Sequence, residues 1–349
     1  MSRLPSKSNL STHHYEIETT EGLEFITQQE LLPLIKHNIV RDIQVRNGAI
    51  TCISSHPQKL CTLKTAVAVY VLDSYDVPRP KALLGHQHFT RLCNTIRFVC
   101  QNTQSPCTTF YLSAAGSDSS VMERLKAEIA SATGLNEAEQ GDILLRIRRT
   151  KTGWDVLTRL TNRPLATRSW RVCNMEGALN APLAHAMIWL SRPQPEDIFL
   201  NIACGSGTLL VERLIHSHAK QVIGCDINDD ALRCASENIT QAGYNHHIQL
   251  INADGGQLPL MDEQVTVICA DLPFGQLIGS HRDNMILYPQ ILTEIERVLI
   301  PTGRAIVITH EIRLMNTLIP SRTRLKLDNQ YQIVQRGLHP CIYVFRKSV

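Results

Sequence analysis

From about residue 193 onward, short apolar runs rich in β-branched residues alternate with stretches whose apolar positions recur every three or four residues. A short apolar run bounded by turn residues predicts a strand buried on both faces, and the second spacing predicts a helix. Their alternation predicts a doubly wound α/β domain with a parallel sheet between helical layers. The expected strands are "IFLNIA", "QVIGCD", "IQLINAD", "VTVICAD" and "RAIVITH", with helices over 208–217, 229–242 and 284–299. The tail "NQYQIVQRGLHPCIYVFRK" carries two strand-like runs around a glycine-bearing turn, which predicts an antiparallel hairpin finishing the sheet.

Upstream, "GALNAPLAHAMIWLSR" has apolar residues at helical spacing (Leu179, Leu183, Met187, Leu190) before "RPQPED" breaks the pattern, so a helix is expected at the domain's entrance. "EGLEFITQQELLPLI" predicts an amphipathic helix. "SVMERLKAEIASATG" predicts another, with a Ser120 to Glu123 capping box and Gly134 as its stop. "RNGAITCISS" and "DILLRIRRT" read as strands. With 349 residues, 43% of them hydrophobic, more than one core is expected. The expected division is a small α+β, ferredoxin-like module over 1–55, a second module over 56–165 and the α/β domain over 166–349.

The net charge of +3 and a pI near 8.3 leave a polyanionic partner open without establishing one. The eleven cysteines are odd in number and contain no C-x-x-C pair, and several sit inside apolar runs, which predicts reduced, buried thiols in a cytoplasmic protein. The pairs His216/His218 and His246/His247 lack acidic or thiol partners at zinc-site spacing, so no metal is expected. No stretch approaches the length of a membrane span, so no membrane partner is expected either.

"FLNIACGSGTLLVERL" is a strand, a tight Gly-Ser-Gly turn and a helix start, where Gly205 and Gly207 let a ligand approach converging backbone amides. Asp226 closes the next strand, nineteen residues past Gly207, where a carboxylate can accept hydrogen bonds from both hydroxyls of a ribose. Asp254 closes the third strand beside the same crevice. A dinucleotide would want a third glycine where Leu210 stands. A ligand with one adenosine and no pyrophosphate, S-adenosylmethionine, suits the loop better.

"ADLPFG" falls at the carboxyl end of the fourth expected strand, beside that turn. An exocyclic amine on a nucleobase is a poor nucleophile because its lone pair is delocalised into the ring. Acceptors aimed at its two N–H bonds favour tetrahedral nitrogen and expose the lone pair. Asp271 would supply one acceptor and the Leu272 carbonyl another; Pro273 would fix the turn and Phe274 would stack on a base taken out of its helix.

With these motifs the chain resembles the THUMP-containing RNA guanine-N2 methyltransferases, particularly the single-chain tRNA enzymes. "CGSGT" (204–208) resembles the family's cofactor loop, "DLPFG" its amine-binding motif, "TRSWR" (167–171) its arginine-containing segment before the entrance helix, and "GLHPCIYVFRK" its closing strand. The resemblance is strong from about residue 155 to the C-terminus. Upstream, "TTEGLEFITQQEL" is similar to the family's opening, and "VMERLKAEIASATG" with "DILLRIRR" to the second half of a THUMP fold.

The resemblance implies a class I (Rossmann-like) S-adenosylmethionine methyltransferase domain over 166–349, preceded by a THUMP-like RNA-binding domain over 56–165. The implied cofactor residues are Asn201, Cys204, Gly205, Ser206, Gly207, Thr208, Asp226, Ile227, Asp254 and Gly255, with Asp271, Leu272, Pro273 and Phe274 at the amine. Relatives usually carry an acid where Asn201 stands. Some work with a small zinc-binding activator subunit, a partner the sequence leaves open.

Between Asp142 and Arg171 lie eight basic residues against two acids. Arg146, Arg148, Arg149, Lys151, Arg168 and Arg171 are the candidates for RNA phosphate contacts. The implied function is N2-methylguanosine formation in tRNA, in the acceptor stem. An rRNA guanine-N2 activity, a DNA amino-methyltransferase and a catalytically silent RNA-binding protein are the alternatives.

Overall fold

The computed structural model describes residues 12–103, 105–273, 281–335 and 337–348. The chain divides into two compact units, Met1–Thr19 with Thr27–Ala166 and Thr20–Ile26 with Thr167–Val349.

In the first stretch of chain the elements are β1 (His13–Thr19), α1 (Glu24–Lys36), β2 (Val40–Arg46), β3 (Ala49–Ser54), α2 (Pro57–Leu60), β4 (Ala66–Tyr75), α3 (His86–Asn102), β5 (Thr109–Ala114), α4 (Ser120–Thr133), β6 (Asn136–Glu137), β7 (Ile143–Arg149) and β8 (Trp154–Arg159). The eight strands form one mixed sheet in the order β2-β3-β1-β4-β8-β7-β5-β6. Alternate residues of these strands, among them Tyr15, Ile17, Ile50, Val69, Val71, Phe110 and Leu145, share one core with Leu92, Ile96 and Val99 of α3 and Met122, Leu125 and Ile129 of α4. Gly134, with φ +75°, ends α4 as expected. The expected capping box does not form, because Ser119 is the N-cap and Glu123 pairs with Lys126 at 2.7 Å instead.

The second unit contains α5 (Ala181–Leu190), β9 (Ile198–Ile202), α6 (Thr208–His216), β10 (Gln221–Asp226), α7 (Asp229–Gln241), β11 (Ile248–Asn252), β12 (Val265–Asp271), α8 (His281–Val298), β13 (Leu299–Thr309), α9 (Ile312–Leu318), β14 (Leu325–Gln332) and β15 (Cys341–Lys347). Its sheet runs β11-β10-β9-β12-β13-β15-β14, the first five strands parallel and β15 antiparallel to both its neighbours. The period of two along each strand sorts side chains into two cores. Phe199, Val222, Val267, Cys269, Ile306 and Ile308 pack toward α5, α6 and α7, while Leu200, Ile202, Ile223, Ile268, Ala270 and Val307 pack toward α8 and α9. Every residue of α5 except Trp189 is buried or nearly so, so this helix is enclosed on all sides where the sequence suggested a single apolar stripe.

The chain begins the sheet at its centre with β9, moves out through β10 to β11, then returns to lay β12 on the other side of β9. That reversal opens a crevice above the carboxyl ends of β9 and β12, where ligands of such sheets bind. Among the described residues no helix is long and apolar enough to cross a membrane.

The expectation of reduced thiols throughout is corrected at one pair. Cys173 and Cys234 form a disulfide across 61 residues, with Cα atoms 5.4 Å apart, and the other nine cysteines are free. Neither residue belongs to a recognisable pair motif; the fold alone brings the segment before α5 onto α7. Alkylation of the denatured, unreduced protein is expected to modify nine cysteines, and eleven after reduction. Eleven modified before reduction would show the pair to be open.

Candidate active site

The crevice measures about 320 Å³ and lies wholly in the second unit. Four loops build it: 175–179 ahead of α5, 201–209 from β9 into α6, 226–231 from β10 into α7, and 271–273 after β12, with Ala253 to Gly255 closing one side. Of the residues expected at the cofactor, Asn201, Cys204, Gly205, Ser206, Thr208, Asp226, Ile227, Asp254 and Gly255 line it, as do Asp271, Leu272 and Pro273. Gly207 is the N-cap of α6 behind that wall. Phe274 lies outside the described residues.

Local geometry explains the residue types on the glycine turn. Ala203, Gly205 and Gly207 all have positive φ (52°, 52° and 80°), so the chain reverses sharply from strand to helix. A side chain at Gly207 would approach Cβ of Ala235 to 3.2 Å, whereas a Cβ at Gly205 would meet nothing within 4 Å. Gly207 is therefore small for packing against α7, and Gly205 keeps the crevice side of the turn open to a ligand. The Gly205 amide donates to Asp226 Oδ2 at 2.8 Å and the Asn228 amide to Asp226 Oδ1 at 3.0 Å. Asp226 is thus held with lone pairs left on both oxygens. Asp254 is fixed similarly, its Oδ1 accepting from the Gly256 amide at 2.8 Å.

Asn201 is 1% exposed, and its amide orientation is unambiguous: Nδ2 donates to the carbonyls of Ile202 (3.1 Å) and Cys269 (3.0 Å), so Oδ1 faces the other way. That oxygen is buried and has no partner among the described residues. A buried acceptor left unpaired costs stability, so it fits a cationic or N–H donor on a ligand. Ile227, 68% exposed, adds an apolar surface to the same crevice. Orphan acceptor, open glycine, ribose-type carboxylate and exposed isoleucine together fit S-adenosylmethionine along its length.

Asp271 opens on one edge to the crevice, but its Oδ1 is shut off from solvent and has no hydrogen-bond partner among the described residues. Burial pushes its pKa up from 3.8 to about 7. A carboxyl poised there can accept an N–H and take a proton near neutrality.

Two expected phosphate contacts have other occupations. Arg168, 9% exposed at its side chain, donates to Glu212 at 2.8 Å. Burial alone would raise the Glu212 pKa, but His185 at 2.8 Å and Arg168 hold it below the usual value. Arg171 donates to the Leu179 carbonyl (2.9 Å) and to Thr208 Oγ1 (2.6 Å). Both therefore brace the crevice wall against α6. In the first unit, Arg148 bridges Glu16 and Asp155, and Arg146 lies near Glu18 and over the Tyr70 ring. Arg149 and Lys151 are exposed.

Sequence reasoning missed Asn238. Fully buried on α7, it accepts from the amides of Val172 and Cys173 (2.9 Å each) and donates to the carbonyls of Cys173 and Ser206 (3.0 Å each). One amide thereby ties the segment before α5 to the glycine turn. The available signal was a polar Asn on a helix face otherwise made of Ala231, Cys234, Ala235 and Ile239.

Fold and crevice together define the class: the second unit carries the class I methyltransferase fold. More particularly, residues 168–340 match the model of the family described as UPF0020: RMKL-like, methyltransferase domain. The human protein named tRNA (guanine(6)-N(2))-methyltransferase THUMP3 is 31% identical over 184 residues, which are 49% of this chain and 36% of that one. The chain thus spans about a third of the length of that relative. The crystal structure of TrmN from Thermus thermophilus matches with a TM-score of 0.78 at 20% identity, covering 97% of this chain and 100% of that one. SMU.472, solved in complex with SAH, matches with a TM-score of 0.69 at 14% identity, covering 97% and 99%. At these identities the two structures speak for the fold.

The raised Asp271 pKa fixes a sign for stability. The unfolded chain ionises Asp271 near 3.8 and the folded chain near 7, so this group lowers stability as pH rises between those values. Asp271→Asn is expected to unfold at higher urea than the parent above pH 7, by ~4 kcal/mol at most, and to match it near pH 4. Equal midpoints at both pH values would show that the carboxyl is not desolvated.

Proposed function

We propose that this chain transfers the methyl group of S-adenosylmethionine to N2 of a guanosine in tRNA, in the acceptor stem. The observation that carries the reading is the shared crevice: the glycine turn with Asn201 and Asp226 stands on one side, and Asp271, Leu272 and Pro273 on the other. The name of the human relative points the same way. In this reading residues 1–55 are an N-terminal module, 56–165 a THUMP-like RNA-binding domain and 166–349 the methyltransferase domain, in a cytoplasmic protein.

The cofactor supplies an electrophilic methyl group on a sulfonium. Asn201 Oδ1 would accept from the ammonium of its methionine end, the amides of the Gly205 to Gly207 turn would meet its carboxylate, Asp226 would take the ribose hydroxyls, and Asp254 would take the adenine amine beside Ile227 and Gly255. Asp271 and the Leu272 carbonyl each accept one N–H of the guanine amine, which turns its lone pair toward the methyl carbon. On taking up the methyl group the guanine nitrogen would shed one proton, and Asp271, with its pKa raised to about 7 by burial, would be the base that accepts it. Exclusion of water by Leu272, Leu287 and Ile291 keeps these interactions strong. Arg149 and Lys151 contact RNA phosphates.

Unmodified tRNA incubated with the protein and labelled cofactor should yield labelled N2-methylguanosine on nucleoside mass spectrometry, with rRNA and DNA left unlabelled. Label in adenine, or only in rRNA or DNA, overturns the substrate. Calorimetry showing no cofactor binding would instead favour a silent RNA-binding protein. Asp271→Ala is expected to slow single-turnover transfer by roughly 100-fold or more while leaving tRNA affinity within about twofold. The pair Arg149→Glu with Lys151→Glu should do the reverse, weakening tRNA binding by about tenfold and lowering the log-log salt slope by roughly 2. Arg148 is unsuitable for that test because its charge closes a buried ion-pair cluster.

A further inference from the structure

The Asp271 to Pro273 segment is held from behind by two side chains of α8. Asn284 Nδ2 donates to the Pro273 carbonyl at 3.0 Å, and Tyr288 Oη donates to the same oxygen at 2.7 Å. The two residues are one helical turn apart, on one face, and are 1% and 0% exposed. The assignment of Asn284 is forced, because Nδ2 also points at Glu311 Oε1 (3.4 Å) and both neighbours can only accept.

Tyr288 is the middle of a directed chain. The Glu311 amide donates to Thr309 Oγ1 at 2.9 Å, Thr309 Oγ1 lies 2.6 Å from Tyr288 Oη, and Tyr288 donates onward to Pro273. Since the single hydroxyl hydrogen of Tyr288 goes to the Pro273 carbonyl, Thr309 donates to Tyr288, and every member has a defined direction. On the other side of the segment, the Leu272 amide donates to the Ile308 carbonyl at 3.1 Å. Leu272 is therefore pinned at its nitrogen, the ring of Pro273 fixes one dihedral, and the carbonyl of Pro273 is pinned by two donors. Little freedom remains in the peptide group whose carbonyl is to face the amine.

We infer that Asn284 and Tyr288 are positioning residues for methyl transfer, acting through the Pro273 carbonyl on the direction of the Leu272 carbonyl and Asp271. This rests on the function proposed above. Neither side chain lines the crevice, so each would act on the reaction through the Pro273 carbonyl. Burial also raises the pKa of Tyr288, which keeps its hydroxyl a donor throughout the working range.

The test compares Tyr288→Phe, Asn284→Ala and the double variant with the parent, by single-turnover transfer at saturating cofactor and tRNA and by hydrogen exchange of the peptide spanning 265–273. Each single variant keeps one donor on the carbonyl and should lose roughly 10-fold in rate, while the double variant should lose clearly more than the product of the two. Cofactor and tRNA dissociation constants should stay within about twofold throughout, a split that general loosening of the domain would not give. Exchange at 265–273 should quicken in the double variant alone, with that of β9 and β10 unchanged. Single variants at parental rate with a double variant no slower than their product, or unchanged exchange at 265–273, would overturn the inference. If the parent itself methylates no RNA, the function proposed above fails, and the exchange result still decides whether these two side chains hold the segment.

Discussion

The parallel register of β9 between β10 and β12 is the constraint on which the site depends. Asn201 sits opposite Gly224 on one side and Cys269 on the other, and both neighbouring strands end in an aspartate of the crevice. A shift of one residue would exchange the two faces of β9, sending Phe199 toward the α8 layer and turning Asn201 Oδ1 away from the crevice. The alternation of apolar residues between the two cores makes that shift costly, so packing far from the crevice decides which polar atoms reach it. Gly224 belongs to the same constraint: a Cβ there would lie 2.5 Å from Leu210 and 3.2 Å from the Cys204 sulfur, at the base of the glycine turn.

The register also explains how a carboxyl can be kept in an unfavourable place. Asp271 is the last residue of its strand, the four residues before it, Val267 to Ala270, are fully buried, and it is followed at once by buried Leu272. Desolvation there works against folding near neutrality, and the opposing contribution comes from the apolar residues on either side of it. A surface turn carrying the same Asp-Leu-Pro would keep an ordinary pKa and would be a poor base near pH 7. The chemistry attributed to the motif depends on where the strand places it as much as on its letters.

Much of this was legible because strand-helix alternation and strand-end carboxylates are local signals. The helices expected over 208–217, 229–242 and 284–299 lie within three residues of α6, α7 and α8, and the closing hairpin is β14 with β15. What was not legible depended on long-range pairing. The Cys173–Cys234 disulfide joins residues 61 apart. Arg168 and Arg171 read as part of a basic run, and only the position of α6 shows that Glu212 and Thr208 occupy them. The Ser120 to Glu123 box failed for a local reason: the helix starts one residue earlier than the motif needs, so Ser119 takes the cap position.

The loops around the crevice have one structural device in common. Asn238 on α7 fastens the segment before α5 to the glycine turn, and Asn284 with Tyr288 on α8 fastens the segment after β12. In each case a buried polar side chain on a helix donates to a loop carbonyl. Such a bond adds only about 1 kcal/mol when made, but leaving a buried group unmade costs about 1–3 kcal/mol, so these contacts select one loop conformation more than they stabilise the fold. Cores on the two faces of the sheet therefore each set one half of the crevice. The two halves of the crevice can then be tuned from opposite sides, by substitutions at Asn238 on α7 and at Asn284 or Tyr288 on α8.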